Sequence, residues 1–201
     1  TSNRKLLKEV NKVFNFLEVP YKLKKYKHLI VSPHYSANTI ERLIDNEIKN
    51  RLEGKTSGIQ LKMNAITNYK LIDKLYEASA AGVPIKMIVR GICCLIPGVK
   101  GLSEHIEVVS VVDKFLEHPR VYIFENGGEP KYYISSADFM TRNIENRVEV
   151  AAPIYDLDLQ NQIQDVFSLC WDDNIKGRHV NGKKGNRFID NKKSKIRSQW
   201  A

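Results

Sequence analysis

The sequence predicts an α/β domain built on a mixed β-sheet flanked by helices, and three observations carry that reading. Stretches with apolar residues at helical spacing alternate with short runs rich in β-branched residues. One strand, helix, strand series has the order and short links of a parallel βαβ unit. Later, Asn126, Gly127 and Gly128 join two β-rich runs, and because these residues tolerate positive φ they predict a hairpin turn.

Taken in order, residues 3–17 carry Leu6, Leu7, Val10, Val13, Phe14 and Leu17 as the stripe of an amphipathic helix, which Pro20 ends. An apolar run at 28–32 predicts a strand, and Ile40, Leu43, Ile44 and Ile48 mark a helix over 37–52. The βαβ unit follows: a strand at 59–64, a helix over 68–80, a turn at 82–84 and a strand at 85–89. Further strands are expected at 106–112, 120–125, 131–135 and 147–153, then a helix over 157–171. The last thirty residues are basic, polar and glycine-containing, which predicts a loosely packed tail.

With 201 residues, 42% of them hydrophobic, the chain can bury one good-sized core. Lys and Arg outnumber Asp and Glu by 32 to 23, and the formal charge of +9 favours a polyanion: nucleic acid, nucleotide, polyphosphate or an anionic membrane surface. No apolar run reaches the roughly 18 residues that would span a bilayer, and TSNRKLLKEV has no signal-peptide core, so a cytoplasmic location is expected. Cys93, Cys94 and Cys170 are expected as reduced thiols that serve as buried packing. The five histidines form no metal-ligand spacing, so no metal held by protein ligands is expected and any Mg²⁺ arrives with phosphate.

The hairpin carries the first functional signal. Antiparallel pairing about Gly127 and Gly128 brings the start of one strand beside the end of the next, so His118 should lie near Ser136, Ala137 and Asp138. His118 and Arg120 are two residues apart on one strand, as Ser136 and Asp138 are on the other. Pro119 biases His118 toward an extended backbone. Arg90 follows the apolar run IKMIV at the carboxyl end of a parallel strand, the edge where open α/β sheets bind ligands. Arg142 and Arg147 are read as flanking the next strand. Four arginines and a histidine make a phosphoryl-transfer kit, the forks neutralising charge and the imidazole moving a proton. The competing reading makes His118 a surface histidine, Asp138 a helix N-cap and Arg90 a surface ion pair.

The segment VRGICCLIPGVKGLSEHIEVVSVVDKFLEHPRVYIFENGGEPKYYISSADFMTRNIENRVEVAAPI resembles the most characteristic stretch of polyphosphate kinases, the family that works through a phosphohistidine. LIVSPHYS, SGIQLKMNAITNYKLIDKLYEASAAGVPIK and GNRF extend the resemblance over nearly the whole chain. It implies a phospholipase-D-like fold in which two related domains each supply one active-site histidine, this chain resembling only the second. On that resemblance 1–24 is the end of the preceding domain and a linker, 25–175 the second catalytic domain and 176–201 a basic tail. His118 in FLEHPR matches the family's second histidine, and the phosphate-accepting one would lie upstream of Thr1. Arg90 in VRG and Arg147 in NRVEV match arginines that bind nucleotide phosphate and line the pocket, with Arg120, Ser136, Asp138 and Arg142 in support. Phospholipase D enzymes carry H-x-K-x-x-x-x-D followed by G-S-x-N; here His118, Arg120 and Glu125 are followed by Ser135, Ser136 and Asp138.

The implied function is reversible transfer of the terminal phosphate of ATP onto polyphosphate, with ATP or ADP and polyphosphate as partners and Mg²⁺ brought by the nucleotide. The resemblance further implies a homo-oligomeric parent, no nucleic-acid partner and an isolated fragment that is inactive. A phospholipase-D-like phosphodiesterase or nuclease, and a non-enzymatic basic module binding nucleic acid through its tail, are the alternatives.

Overall fold

The computed structural model describes residues 2–21, 24–181, 187–190 and 194–200. Helix α1 (Arg4–Glu18) leads to strand β1 (Ile30–Val31), helix α2 (Ser36–Leu52), strand β2 (Ile59–Met63), helix α3 (Tyr69–Ala80) and strand β3 (Ile85–Val89). Strands β4 (Ile106–Val111), β5 (Arg120–Phe124), β6 (Lys131–Ser135) and β7 (Val150–Ile154), helix α4 (Leu157–Trp171) and strand β8 (Gly177–His179) follow. The strands form one eight-stranded sheet in the order β1-β7-β6-β5-β2-β3-β4-β8. As the βαβ pattern requires, β2 pairs parallel with β3, and β4 extends the parallel set, while the remaining neighbours are antiparallel.

Alternation along the central strands divides the two layers. Ile59, Leu61 and Met63 of β2 and Ile85, Met87 and Val89 of β3 are buried in one core with Ile40 and Ile44 of α2 and Leu71 and Leu75 of α3. The residues between them face α4: Ile88 packs on Phe167 and Cys170, and Gln60 exchanges hydrogen bonds with Gln164. Helix α1 buries Leu6 and Val13 on Leu29 and Val31, while Leu7, Phe14 and Leu17 of the expected stripe are exposed. At the hairpin, Asn126 (φ 48°), Gly127 (φ 73°) and Gly128 (φ 100°) all adopt left-handed backbone, and the β5–β6 register follows from that turn.

Three sequence expectations need correcting. The stretch after residue 171 is not a loosely packed tail in its described part. Strand β8 pairs with β4, Ile189 is buried on Val109 and Val111, and 194–200 pack back on the domain. The buried Asp173 carboxylate organises this region by accepting hydrogen bonds from the amides of Ile175, Lys176, Gly177 and Ser198 and from the Ser198 hydroxyl, at 2.8–3.2 Å. Gly177 fits because any Cβ there would stand 2.0 Å from the Asp173 carbonyl oxygen. Polar satisfaction, not apolar periodicity, orders this region, so a pattern search passes over it. Arg142 and Arg147 do not flank a strand; they begin and cap a π-helical turn at Arg142–Asn146, and β7 starts only at Val150. Of the cysteines, Cys170 is buried and Cys93 half-buried, but Cys94 is exposed. Among the described residues no helix is long and apolar enough to cross a membrane.

Candidate active site

Strand directions send the carboxyl ends of β2, β3, β4, β6 and β1 and the amino ends of β5, β7 and β8 to one edge of the sheet. That edge therefore collects Asn64 and Arg90, the segment 117–119, the segment 136–138 and the approach to β7 with Arg142 and Arg147. The connection 112–119, from β4 to β5, must cross three strand spacings, about 14 Å at ~4.8 Å each, over the ends of β3 and β2. Arg90 and Asn64 meet it from below. Arg90 Nη1 donates to the carbonyl oxygen of Glu117, and Asn64, with its amide turned to satisfy both neighbours, donates to the same oxygen at 3.3 Å.

His118 is exposed at the end of this crossing. Arg120 Nη1 lies 2.8 Å from its Nδ1. Arg120 Nη2 also lies 3.3 Å from Nε2, so both ring nitrogens face the guanidinium. Arg120 is itself held by Asp138, whose Oδ1 accepts from Nε at 3.2 Å and whose Oδ2 accepts from Nη2 at 2.8 Å. The same carboxylate accepts from the amides of Asn64 at 2.7 Å and Ala65 at 3.3 Å, tying the end of β6 to the end of β2. Burial would raise the Asp138 pKa, but the Arg120 contact and these amides outweigh it and hold the carboxyl below its ordinary value. Asp138 is thus no helix N-cap. The His118–Asp138 link runs through Arg120, not by direct contact.

Ser136 is brought to this edge but turns the other way. Its hydroxyl donates to Glu149, accepts from the Val150 amide at 3.1 Å, and makes no hydrogen bond to His118. Asn143 donates to the other Glu149 oxygen at 2.5 Å. Arg142 and Arg147 are exposed, and neither guanidinium has a hydrogen bond or ion pair to the described residues. From β7 to β3 is four strand spacings, roughly 19 Å, so the backbones of Arg147 and Arg90 approach this edge from opposite ends. Glu125, aligned by sequence with the phospholipase aspartate, sits past the far end of β5, where its amide donates to the Gly58 carbonyl at 3.0 Å. It has no part in this edge.

Sequence reasoning missed Asn64 and Glu117. Asn64 was legible by the argument that found Arg90, a polar residue directly after an apolar parallel strand. Glu117 had no such signal, because its carboxylate meets Lys62 of β2 at 2.7 Å and Gln199 at 3.0 Å, partners remote in the chain. Burial would raise the Glu117 pKa, and Lys62 and Gln199 pull it below the ordinary value instead. Among the described residues no group of three His, Cys, Asp or Glu could hold a metal ion. The carboxylates at this edge are committed to Arg120, Lys62, Ser136 and Asn143, a donor set that does not fit a protein-held Mg²⁺.

Comparison with known proteins decides the family. The model of polyphosphate kinase C-terminal domain 2 matches residues 29–199. The chain belongs to that family. A polyphosphate kinase of Vibrio cholerae is 47% identical over the whole chain, and one of Klebsiella pneumoniae 44%. The chain spans 29% and 30% of those two relatives, so this C-terminal domain of a polyphosphate kinase is under a third of such a protein. The crystal structure of polyphosphate kinase from Porphyromonas gingivalis superposes with a TM-score of 0.93 at 37% identity, over 100% of this chain and 31% of that one. Nuc from Salmonella typhimurium, a phospholipase D family member, shares the fold, with a TM-score of 0.56 at 16% identity over 76% of this chain and 96% of that one.

Proposed function

We propose that this domain supplies the nucleotide- and phosphate-binding half of an active site that reversibly transfers the terminal phosphate of ATP to polyphosphate, through a phosphohistidine contributed by an upstream domain. The observation that carries the reading is the sheet edge itself: an exposed histidine braced by Arg120, with Arg90 anchored beside it and Arg142 and Arg147 uncommitted. His118 gives a proton to the bridging oxygen as that oxygen takes up charge, and takes the same proton back when the reaction reverses. Arg147 and Arg142 clamp outer phosphates, while Arg90 offers its remaining N–H donors from the other side. Bound with the nucleotide, Mg²⁺ would neutralise phosphate charge; no ligand for it is assigned to this domain. The placement in the cytoplasm and the homo-oligomeric state remain part of this proposal.

The test uses a full-length polyphosphate kinase carrying this domain and γ-labelled ATP. Acid-labile phosphate is expected on a histidine outside residues 1–201. Label on His118 itself would overturn the division of roles, and labelled polyphosphate formed with no labelled histidine would overturn the phosphohistidine route.

A further inference from the structure

The crossing segment 112–119 has little apolar anchorage. Val112, Phe115 and Leu116 are 64%, 55% and 80% exposed, so burial does not set the place of His118. A second segment does, from the far end of the chain. Arg197 binds Asp113 through two parallel bonds of 2.7 Å, Nε to Oδ2 and Nη2 to Oδ1. The Gln199 amide accepts from the Phe115 amide at 2.9 Å, donates to the Phe115 carbonyl at 2.8 Å, and donates to Glu117 Oε1 at 3.0 Å. Trp200 lies against Phe115 with ring centroids 6.3 Å apart, and the Lys114 ammonium stands 5.2 Å from the indole centroid.

This segment is in turn fastened behind the sheet. Ser198 donates both its amide and its hydroxyl to Asp173 at 2.8 Å. Asn174 exchanges hydrogen bonds with Ile196, 3.1 Å from its amide to the Ile196 carbonyl and 2.8 Å from the Ile196 amide to its Oδ1. The line of contacts thus runs from the end of α4 through Asp173 and Asn174 to Arg197 and Gln199, and from them to Asp113, Phe115 and Glu117. Glu117 is the neighbour of His118, and its carbonyl is the acceptor for Arg90.

We propose that 194–200 is a positioning strap for the catalytic histidine, with Gln199 and Arg197 as positioning residues that act through 113–117 on His118. The proposal rests on the reading of His118 given above. Gln199 holds the backbone of Phe115 on both its donor and its acceptor, as a strand partner would, which fixes the crossing two residues ahead of the Glu117–His118 peptide. A shift there moves the imidazole relative to the bridging oxygen without touching Arg142 or Arg147.

The test compares Gln199→Ala, Arg197→Ala and Arg197→Lys in the full-length enzyme, alone and with His118→Gln. Gln199→Ala is expected to lower kcat by roughly 10- to 100-fold, the cost of a misplaced group, with a smaller change in KM for ATP and a melting temperature near that of the parent. Arg197→Ala behaves alike, and Arg197→Lys recovers part of the loss because an ammonium replaces one bond of two. In the His118→Gln background, adding Gln199→Ala should cost no more than about twofold, since a device that works through His118 has nothing left to position. Equal losses in both backgrounds, or parent-like kcat for both alanine variants, overturn the strap and leave the proposed function standing. Parent-like turnover of His118→Gln alone overturns the proposed function. Should Arg197→Ala fail to fold, Gln199→Ala decides, because its hydrogen bonds to Phe115 lie at the surface.

Discussion

The arginines on the two halves of the carboxyl edge are placed on opposite plans. On the β5, β2 and β3 side, Arg120, Asp138, Asn64, Glu117 and Arg90 all find partners within the domain. Across β6 and β7, Arg142 and Arg147 reach solvent with no partner among the described residues. On the proposed function, the difference separates two tasks that a phosphate site must perform. A proton-transfer group needs a fixed place, because small displacements cost large factors in rate, and satisfied hydrogen bonds provide it. A clamp for a flexible polyanion gains from free guanidinium groups whose desolvation is repaid by the ligand's own oxygens.

The largest expected effect tests whether the braced half holds the chemistry. His118→Ala in the full-length enzyme should lower turnover by about 10²- to 10⁴-fold, as for other acid–base groups, and a steady-state assay beside His105→Ala, a histidine bound to Ser79 on the far side of the parallel strands, would show it. Parity of the two variants would erase the contrast between the halves. Next, Asp138→Ala removes one partner of an ion pair whose side chains are 10% and 8% exposed, and should cost about 3–5 kcal/mol of stability by chemical denaturation. An Asp138→Ala protein as stable as its parent would mean that the bracing is ornamental.

Arg90→Lys should cost roughly tenfold in kcat/KM, near the ~1.5 kcal/mol of one charged hydrogen bond, because an ammonium cannot hold the Glu117 carbonyl and a phosphate at once. On the open half, Arg147→Ala should weaken polyphosphate binding and reduce the slope of log K against log salt by about one, because one phosphate fewer is neutralised and its counterion is no longer released. An unchanged slope would move the polyanion off that half. The smallest effect concerns the strap. The Arg197 bonds hold the Asp113 carboxyl down to about 2 from its ordinary 3.8. A depressed carboxylate stabilises the fold above its unfolded pKa and loses that contribution as pH falls through the folded one, so stability should decline from pH 3.8 toward about 2. Asp113→Asn should flatten that part of the acid titration.

How much was legible follows from what each region uses for cohesion. Helices α2, α3 and α4 and strands β2, β3, β5 and β6 were readable to within a residue or so, because apolar period and turn residues report burial directly. Arg90 and His118 were readable as strand-end residues, and the hairpin brought His118 to the edge that also holds Arg90. The π-helical turn that carries Arg142 and Arg147 was not, since no local pattern distinguishes it from a strand approach. The strap was missed because its hydrogen-bonding residues look, in sequence, like a solvated tail.

By itself, then, the amino-acid sequence determined the α/β class, the parallel βαβ unit, the hairpin and the edge on which Arg90 and His118 stand, since each depends on contacts between residues close in the chain or on one backbone conformation. Tertiary structure alone decided that Arg120 stands between His118 and Asp138, that Ser136 serves Glu149, and that Gln199 and Arg197 reach back to 113–117. The physical reason is range and valence. A polar side chain has several partners of equal chemistry open to it, and only the assembled sheet edge selects which one comes within about 3 Å.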